Sequence, residues 1–394
     1  MAAQIYLKPG KDLPLRRFHP WVFSGAVSRL EGSPEDGDVV RVADRSGQLL
    51  GIGHFHKGSI AVRILSFEEA DLNGPDFWVQ KLETALRLRR LLGLAGAEHT
   101  NCYRLVHGEG DGLSGLIIDL YGPVAVMQCH SIGMHRQRAL IAEALQRVLG
   151  SDLEAVYDKS ADTLPGQYAS GMSNSYLTGT AETPATVLEN GVQFAVDWVT
   201  GQKTGFFLDQ RDNRLLLQRY ASGKSVLNTF CYTGGFSAYA LHVGARLVHS
   251  VDVSEKAMAL TEQNTLANRA PGAEHEGFTE DVLKFLQRSN NRYDVAVVDP
   301  PAFAKSLDKR HNAVQGYKRL NAAAIARIEP GGLLFTFSCS QVIDRELFYN
   351  TIVAAALDAG RPAQVLHHLS QGPDHPVNLF HPEGAYLKGL VLRV

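Results

Sequence analysis

The sequence contains few cysteines and no closely spaced cysteine pair, which argues against two kinds of site. Its 394 residues include four cysteines, Cys102, Cys129, Cys231 and Cys339, and none belongs to a Cys-x-x-Cys motif. Structural zinc sites and disulfide frameworks normally show such spacing. We therefore expect no metal site, and free thiols fit the reducing cytoplasm.

Long apolar runs and an excess of one charge are also missing. No segment offers the roughly 18 consecutive apolar residues that a membrane-spanning helix needs, so we expect no membrane partner. The formal net charge is −2, and bulk charge therefore gives no support for nucleic-acid binding. Two short basic clusters, Arg16-Arg17 and Arg87–Arg90, are local candidates for RNA contacts, although such runs are usually solvated faces.

Short predicted strands separated by glycine-containing turns characterise the N-terminal segment. The runs Val39–Ala43, Leu49–Phe55 and Ile60–Leu65 are rich in residues that favour strands. Several short strands at this spacing predict a small β-barrel. The breaker sequence Asn73-Gly74-Pro75 then predicts a linker.

The middle segment mixes helical and strand patterns. Apolar residues recur at helical spacing in Phe77–Leu94 and Met134–Leu149, which predicts two helices. Between them, Cys102–Val106, Leu116–Leu120 and Val124–Cys129 are predicted strands. This segment is therefore predicted to be a small α+β module.

In the C-terminal half, predicted strands alternate with predicted helices. The strands are Ser225–Phe230, Arg246–Val251, Tyr293–Val298 and Leu333–Phe337, and the helices are 236–243, 254–268, 313–328 and 344–358. This alternation predicts an α/β fold in which helices cover both faces of a parallel sheet. Such sheets bind ligands at the carboxyl ends of their strands.

Three successive strand ends carry residues suited to a nucleoside-containing cofactor. The loop Asn228–Gly235 contains two adjacent glycines, which allow a sharp turn and close approach of a ligand. The loop lacks the Gly-x-Gly-x-x-Gly pattern of dinucleotide sites. Asp252 is placed to accept hydrogen bonds from ribose hydroxyls, and Asp281 from an adenine amino group. Ser254 is better explained as a helix cap, and capping is also open for Asp281.

Two further strand ends carry residues suited to a reaction. Asp299-Pro300-Pro301 forms a stiff loop, because each proline restricts the residue before it. Cys339 follows the next strand and therefore reaches the same edge of the sheet. A thiolate there suits methylation at C5 of a pyrimidine, since addition at C6 activates C5 as a nucleophile. The other cysteines are interpreted as packing residues.

The segment Thr200–Arg211 precedes the sheet and combines polar and aromatic residues. This composition suits a lid over the cofactor. Phe206 and Phe207 fit a core position equally well.

At these residues the chain resembles the bacterial 23S ribosomal RNA large-subunit methyltransferase I family, which forms 5-methylcytosine. The matching stretches are HPWVFSGAV (19–27), GEGDGLSGLIIDLYG (108–122), TGQKTGFFLDQR (200–211), NTFCYTGGFSAYA (228–240), VDVS (251–254), DPPAFAKS (299–306) and TFSCS (336–340). They extend over nearly the whole chain in the right order, and all but VDVS are specific.

The resemblance implies three domains. They are an N-terminal PUA domain, a β-barrel that binds RNA, at residues 1–73; a central α/β domain at 74–182; and a Rossmann-like class I methyltransferase domain at 183–394. It implies S-adenosylmethionine (SAM) as cofactor and 23S ribosomal RNA as partner. A homodimer is left open.

The resemblance also implies roles for individual residues. Cys339 would be the nucleophile, and Asp299 is our candidate for orienting the cytosine. It carries cofactor contacts onto Gln210, Arg211, Phe230, Thr233, Gly234, Asp252 and Asp281. We add neighbouring residues of the same strand ends as expected cofactor contacts: Asn228, Tyr232, Val253, Ser254, Val282 and Asp299.

The candidates for contacting RNA come from two places in the sequence. Arg16 and Arg17 lie in the predicted PUA domain, where Trp21 fits a core position better. Phe303 suits stacking on a base that leaves its stack, or equally an apolar anchor for its loop.

One departure from related enzymes bears on the mechanism. Many RNA 5-methylcytosine enzymes carry a second cysteine after the proline of the Asp299 motif, where this chain has Pro301. Another base must then remove the C5 proton, and the sequence does not name it. Two alternatives also stay open: methylation of an amino group without a thiol, and a non-catalytic RNA-binding factor that retains SAM.

Overall fold

The computed structural model describes residues 3–304 and 306–394. Lys305, within the DPPAFAKS motif, lies outside the described residues. The chain forms two compact units. The first runs to Val187 and also includes Val196–Leu208 and Pro373–Gly384, and the second comprises Leu188–Ala195, Asp209–Gly372 and Ala385–Val394. The division into domains 1–73, 74–182 and 183–394 stays a prediction.

The first unit begins with a six-stranded sheet in the order β2-β6-β5-β4-β1-β3. Its elements are β1 (Ala3–Leu7), α1 (Leu13–Arg16), β2 (Trp21–Phe23), β3 (Val27–Glu31), β4 (Val39–Ala43), β5 (Leu49–Phe55) and β6 (Ile60–Ser66). Ile5, Val40 and Val62 are fully buried in its core. The three predicted strands are confirmed, whereas β1, β2 and β3 were not predicted.

A second sheet of the same unit has the order β11-β10-β9-β8-β7. Its segment contains α2 (Pro75–Leu91), β7 (Cys102–His107), β8 (Leu116–Tyr121), β9 (Val124–Cys129), α3 (Ile132–Arg136), α4 (Arg138–Leu149), β10 (Ala155–Asp158), α5 (Gly166–Ala169) and β11 (Ser175–Thr178). The predicted helix Met134–Leu149 is two helices that meet at Gln137.

One of the two basic clusters that were candidates for RNA contacts, Arg87–Arg90, is not a continuous surface patch. Arg89 of α2 is completely buried, and its guanidinium pairs with the buried carboxylate of Asp111. It also donates a hydrogen bond of 2.7 Å to the carbonyl of Asp374. Because this charge is enclosed, Arg89 cannot belong to a basic surface formed by Arg87–Arg90.

The two-stranded sheet of β12 (Ala185–Glu189) and β13 (Val192–Val196) precedes the large sheet of the second unit. The following elements are α6 (Arg211–Ala221), β14 (Ser225–Thr229), α7 (Gly235–His242), β15 (Leu247–Asp252), α8 (Glu255–Asn268), β16 (Glu274–Thr279), α9 (Val282–Arg288), β17 (Tyr293–Val298), α10 (Arg310–Ile325), β18 (Ile328–Ser338), α11 (Arg345–Asp358), β19 (Gln364–Leu369) and β20 (Lys388–Arg393).

The large sheet has the order β16-β15-β14-β17-β18-β20-β19. Its first five strands are parallel, and β20 runs antiparallel to both neighbours. The central strands β14 and β17 are almost continuously buried because helices cover both faces. The predicted doubly wound α/β fold is confirmed, although β19 and β20 were not predicted.

The length and apolarity of a helix determine whether it can cross a membrane. Within residues 3–304 and 306–394, no helix is both long enough and apolar enough to cross a bilayer.

Candidate active site

The carboxyl ends of β14, β15, β17 and β18 meet at one edge of the sheet. The register pairs Thr229 of β14 with both Val251 and Val298, and Val298 with Thr336. The segments that follow these strands are therefore neighbours. They carry the glycine loop, Asp252, Asp299 and Cys339, as the sequence predicted.

The loop after β14 has an unusual backbone. Phe230, Tyr232 and Gly234 all have positive φ, at 55°, 49° and 76°. Non-glycine residues rarely adopt this region, and such strain often marks a ligand site. A Cβ on Gly234 would lie 2.8 Å from Cγ2 of Thr261, so a larger residue does not fit without movement.

Asp252 connects two strand ends through its carboxylate. Oδ2 accepts a hydrogen bond from the Tyr232 amide at 2.9 Å, and Oδ1 accepts from the Ser254 amide at 3.0 Å. Each carboxylate oxygen has a further lone pair. The side chain can therefore hold the loop and still accept from ribose hydroxyls.

Thr233 carries a buried polar group that has no partner among the described residues. Its Oγ1 is buried and makes no hydrogen bond with any part of the chain that the structure describes. A buried hydroxyl of this kind is costly unless something binds it. The orphaned hydroxyl, the close-approach glycine and the two acidic strand ends together fit the polar groups of SAM.

Asn228, Ser254 and Asp281 mainly stabilise the protein structure around the strand ends. Nδ2 of Asn228 donates to Ser237 at 2.8 Å and is buried. Ser254 caps α8 by accepting from the Ala257 amide, and Asp281 caps α9 by accepting from the Lys284 amide.

The two valines beside these caps differ in exposure. Val253 is exposed, whereas Val282 is part of the apolar core. Neither has a polar side-chain group to offer a cofactor. Any contact with SAM would involve their backbone or their apolar surface.

Asp299 is held by the start of the segment that leads into α6. Nε2 of Gln210 donates to its Oδ2 at 2.9 Å, and Arg211 follows as the buried first residue of α6. Burial, together with the neighbouring charge of Asp209, raises the pKa of Asp299 to about 7. Its protonated and ionised forms are therefore both present near neutral pH.

Cys339 follows β18 and is the cysteine that is not fully buried. Burial of much of its side chain, together with the carboxylates of Asp299 and Asp209, raises the pKa of its thiol to about 11. The positive charge of Lys388 acts in the opposite direction. The thiol is therefore protonated in the free protein at neutral pH.

Lys388 is a site residue that the sequence analysis missed. Its ammonium group donates hydrogen bonds of 2.6 Å to the carbonyls of Ser340 and Ile343, which lie one and four residues after Cys339. Burial lowers the pKa of Lys388 to about 8. A single lysine inside the apolar run of 387–392 was the available sequence signal.

Asp209 is the second missed residue. Its Oδ2 accepts a hydrogen bond of 2.7 Å from the Tyr386 hydroxyl, whereas its buried Oδ1 has no partner within the described residues. It influences the pKa of both Asp299 and Cys339. Its position directly before Gln210 in the sequence was the signal that could have found it.

Phe303 lies in the loop after Asp299 and stays partly exposed. Its ring packs against Tyr317 with centroids 4.6 Å apart, and 36% of the residue is accessible. It therefore serves as a loop anchor and still presents an aromatic surface.

The predicted RNA contacts of the first unit differ in their surroundings. Arg16 forms ion pairs of 2.6 Å with both Asp12 and Asp44, which already balance its charge. Arg17 is exposed. The indole of Trp21 is partly buried and donates to Glu109 and Ser114.

The first part of the predicted lid belongs to the first unit. Oγ1 of Thr204 donates to Asp119 at 2.6 Å, and the buried Phe206 donates its amide to the Tyr121 hydroxyl at 3.2 Å. Phe206 is therefore a core residue. The lid prediction is wrong for this part of the segment, because a moving lid would have to break these buried contacts.

Two family models match the chain. Residues 5–67 match a PUA-like domain, and residues 140–391 match the S-adenosylmethionine-dependent methyltransferase family. The latter range includes every predicted cofactor contact and Cys339.

Curated relatives match over the full length. The ribosomal RNA large subunit methyltransferase I of Aeromonas hydrophila is 40% identical and that of Escherichia coli 38%, with 100% of both chains covered in each case. Two solved structures share the fold, again over 100% of both chains. They are a proposed SAM-dependent methyltransferase from Streptococcus mutans (24% identical, TM-score 0.83) and a proposed methyltransferase complexed with SAH (23% identical, TM-score 0.84).

Proposed function

Because the chain belongs to the ribosomal RNA large subunit methyltransferase I family of SAM-dependent enzymes, we propose that it forms 5-methylcytosine in 23S ribosomal RNA. The observation that carries this proposal is the placement of Asp299 and Cys339 after adjacent parallel strands. An acid and a thiol at one edge suit covalent activation of a pyrimidine.

In this proposal the loop after β14 would hold the cofactor. SAM would supply the methyl group. The hydroxyl of Thr233 and the backbone around Gly234 would bind its polar groups, Asp252 would accept hydrogen bonds from its ribose, and Asp281 would accept from its adenine amino group. The other predicted contacts are Gln210, Arg211, Asn228, Phe230, Tyr232, Val253, Ser254 and Val282.

The thiol of Cys339 acts as the nucleophile once its proton has passed to solvent water, which the partly exposed side chain can reach. Its sulfur forms a bond to C6 of cytosine, and the electron pair of the C5–C6 double bond becomes available at C5 for methyl transfer. Lys388 supports this step, because its positive charge favours the thiolate and its hydrogen bonds hold the backbone after Cys339. Lys388 is thus a positioning residue.

In this proposal Asp299 orients the cytosine, and both its ionised and its protonated form can hydrogen-bond to the base. The ionised carboxylate can accept from the exocyclic amino group, and the protonated form can donate to N3. A proton at N3 stabilises the ring as sulfur adds at C6. Gln210 fixes the carboxylate for this contact.

We assign removal of the C5 proton to Asp209. Its buried Oδ1 lacks a partner among the described residues and is free to accept a proton. The electron pair of the broken C5–H bond then restores the C5–C6 double bond, and the thiolate of Cys339 leaves. This assignment supplies the base that a second cysteine provides in related enzymes.

The RNA is contacted by exposed groups outside this chemistry. Arg17 is the better candidate in the PUA-like domain, since Arg16 is already paired. Phe303 can stack on the extruded base. Ribosomal RNA as substrate implies a cytoplasmic enzyme.

The test is methyl transfer from labelled SAM to 23S ribosomal RNA that lacks the modification. We expect label in 5-methylcytosine with the wild type and with Cys129→Ala, a matched control at a buried cysteine of β9. With Cys339→Ala, incorporation of label should fall below about one thousandth of the wild-type value, because C5 without thiolate addition is too weak a nucleophile to attack SAM directly. Binding of SAM, measured by calorimetry, should be unchanged in Cys339→Ala.

Other outcomes point to the alternatives. Label in an adenine amino group that survives Cys339→Ala would mean amino-group methylation without a thiol. SAM binding without any transfer to ribosomal RNA would indicate a non-catalytic factor. Sedimentation of the same preparation would show whether the enzyme is a homodimer.

A further inference from the structure

A group of metal-ligating side chains lies in the first unit and is not part of the chemistry above. His19, His381 and Glu383 each present one donor atom, and these three atoms all lie within 4.8 Å of one another. His19 precedes β2, whereas the other two residues come from Pro373–Gly384. The sequence separates the two segments by most of its length, so spacing could not reveal the group.

His381 is the residue whose surroundings are hardest to explain by packing. It is only 4% exposed, and neither ring nitrogen has a hydrogen-bond partner anywhere in residues 3–304 and 306–394. Burying a polar group without a partner costs roughly 1–3 kcal/mol. Nε2 of His381 lies 3.8 Å from a carboxylate oxygen of Glu383, too far for a hydrogen bond.

His19 contacts the backbone of Trp21 through Nδ1. Its Nδ1 lies 3.2 Å from the carbonyl oxygen of Trp21, and the Trp21 amide, also at 3.2 Å, donates to Nδ1 when that nitrogen carries no proton. Only the other tautomer, in which Nδ1 is protonated and donates to the carbonyl, leaves Nε2 as a ligand, and a bound metal would select it. Histidine ligands commonly donate their other N–H group to a backbone carbonyl in this manner.

The spacing of the two rings matches a shared ion. The centroids of His19 and His381 are 5.5 Å apart at an interplanar angle of 60°. Two imidazoles bound to one tetrahedral zinc ion would have centroids about 5 Å apart, given Zn–N bonds of about 2 Å. Ligand atoms on such an ion are about 3.4 Å apart, whereas Glu383 lies 3.8 Å from Nε2 of His381 and the three donor atoms lie within 4.8 Å of one another. The side chains therefore have to draw closer together when an ion binds.

We propose that His19, His381 and Glu383 form a zinc site, with water as the fourth ligand. Two imidazoles and one carboxylate favour zinc over magnesium or calcium, which prefer oxygen ligands. The side chain of Glu383 is 61% exposed, so water can reach the ion. The three ligands are thus suited to an open tetrahedral site.

The site has a structural consequence. Zinc would fasten the segment Pro373–Gly384 to the residues before β2, next to the packing of Phe380 against Phe18. Bound metal that is absent from the unfolded chain stabilises the fold by mass action. We therefore expect a role in ordering this part of the first unit, separate from methyl transfer.

The experiment measures zinc binding by the full chain after removal of metal with a chelator. Competition with a chromophoric chelator should give one zinc ion per chain, and zinc should raise the melting temperature. Glu383→Gln changes an exposed side chain and should weaken binding at least about tenfold, as should His19→Gln. Glu346→Gln, an exposed residue of α11, is the matched control and should bind as the wild type does.

Two results would overturn the proposal. One is a stoichiometry well below one zinc ion per chain, which would leave His381 as a residue packed against Trp21. The other is equal zinc affinity in the wild type, Glu383→Gln and His19→Gln, which would assign the bound metal to other side chains. Limited proteolysis gives an independent readout, since the chelator should increase cleavage within 373–384 in the wild type and in Glu346→Gln, but not in Glu383→Gln or His19→Gln.

Discussion

Gln210 donates a hydrogen bond from Nε2 to Oδ2 of Asp299 at 2.9 Å. This bond favours the ionised carboxylate, yet burial and the nearby charge of Asp209 outweigh it and raise the pKa of Asp299 to about 7. Asp299 therefore changes charge in the range where the enzyme is expected to work.

The first prediction concerns the stability of the protein against pH. The folded state holds the Asp299 proton more tightly than the unfolded state, where the ordinary value is 3.8. Its contribution to the free energy of unfolding is complete below about pH 4 and is lost as pH rises through about 7. We expect Asp299→Asn to reduce this fall in the free energy of unfolding between about pH 4 and 7, as measured by urea unfolding.

Asp212→Asn is the control for this measurement. Its side chain is about half exposed, so the variant should keep the slope of the wild type. An unchanged slope in Asp299→Asn would mean that this carboxyl group titrates normally in the folded protein.

The second prediction concerns the reactivity of Cys339. The thiolate is the form that iodoacetamide alkylates, and the positive charge of Lys388 favours it whereas the charge of Asp299 opposes it. At about pH 7.5 we expect alkylation to be several-fold slower in Lys388→Met and several-fold faster in Asp299→Asn. Mass spectrometry identifies the modified cysteine.

Because alkylation is expected to slow in Lys388→Met and to accelerate in Asp299→Asn, the measurement distinguishes a charge effect on the thiol from a general loosening of the fold. A general loosening of the fold would accelerate alkylation in both variants, and it would also expose Cys102, Cys129 and Cys231, which are buried. Equal rates in the three proteins would remove the proposed influence of Lys388 and Asp299 on the thiol.

The third prediction tests Asp209 as the base. If the C5 proton stays on the ring, the bond between Cys339 and C6 cannot be eliminated after methyl transfer. We therefore expect Asp209→Asn to accumulate a protein–RNA adduct on a denaturing gel, with turnover reduced about 100-fold or more. The adduct should disappear in the double variant Asp209→Asn/Cys339→Ala. Normal turnover in Asp209→Asn would assign the proton to another group.

Most of the second unit was predictable because its sequence pattern is local. Tyr293–Val298 is an apolar run between polar turns, and the sequence-based bounds agree with β17. The glycine loop, Asp252 and Asp299 were recognised for the same reason, since each directly follows a strand in the chain.

Contacts between distant parts of the sequence could not be predicted. Lys388 reaches the carbonyls after Cys339 only because β20 inserts beside β18 as an antiparallel strand. Asp209 and Tyr386 form their hydrogen bond across a separation of 177 residues. Arg89 looked like a surface charge because its burial depends on Asp374, far along the chain.

The last prediction separates two reasons why Gly234 must be glycine. Its φ of 76° is unfavourable for alanine, and an added Cβ would also lie 2.8 Å from Cγ2 of Thr261. Gly223 provides the matched control, because its φ is 71° and nothing lies within 4 Å of an added Cβ. Gly223→Ala should therefore cost only the backbone penalty, about 1 kcal/mol in the free energy of unfolding.

Gly234→Ala should cost more, about 2–4 kcal/mol, and should also weaken SAM binding because the displaced loop carries Thr233. Adding Thr261→Ser removes Cγ2 but keeps the hydroxyl that donates to the Tyr232 carbonyl at 2.8 Å. The double variant should therefore recover the part of the free energy of unfolding that the clash with Cγ2 removes. It should still show the backbone penalty seen in Gly223→Ala. Thermal unfolding and calorimetric titration with SAM measure both effects. If Thr261→Ser restored nothing, the requirement for glycine would lie in the backbone alone.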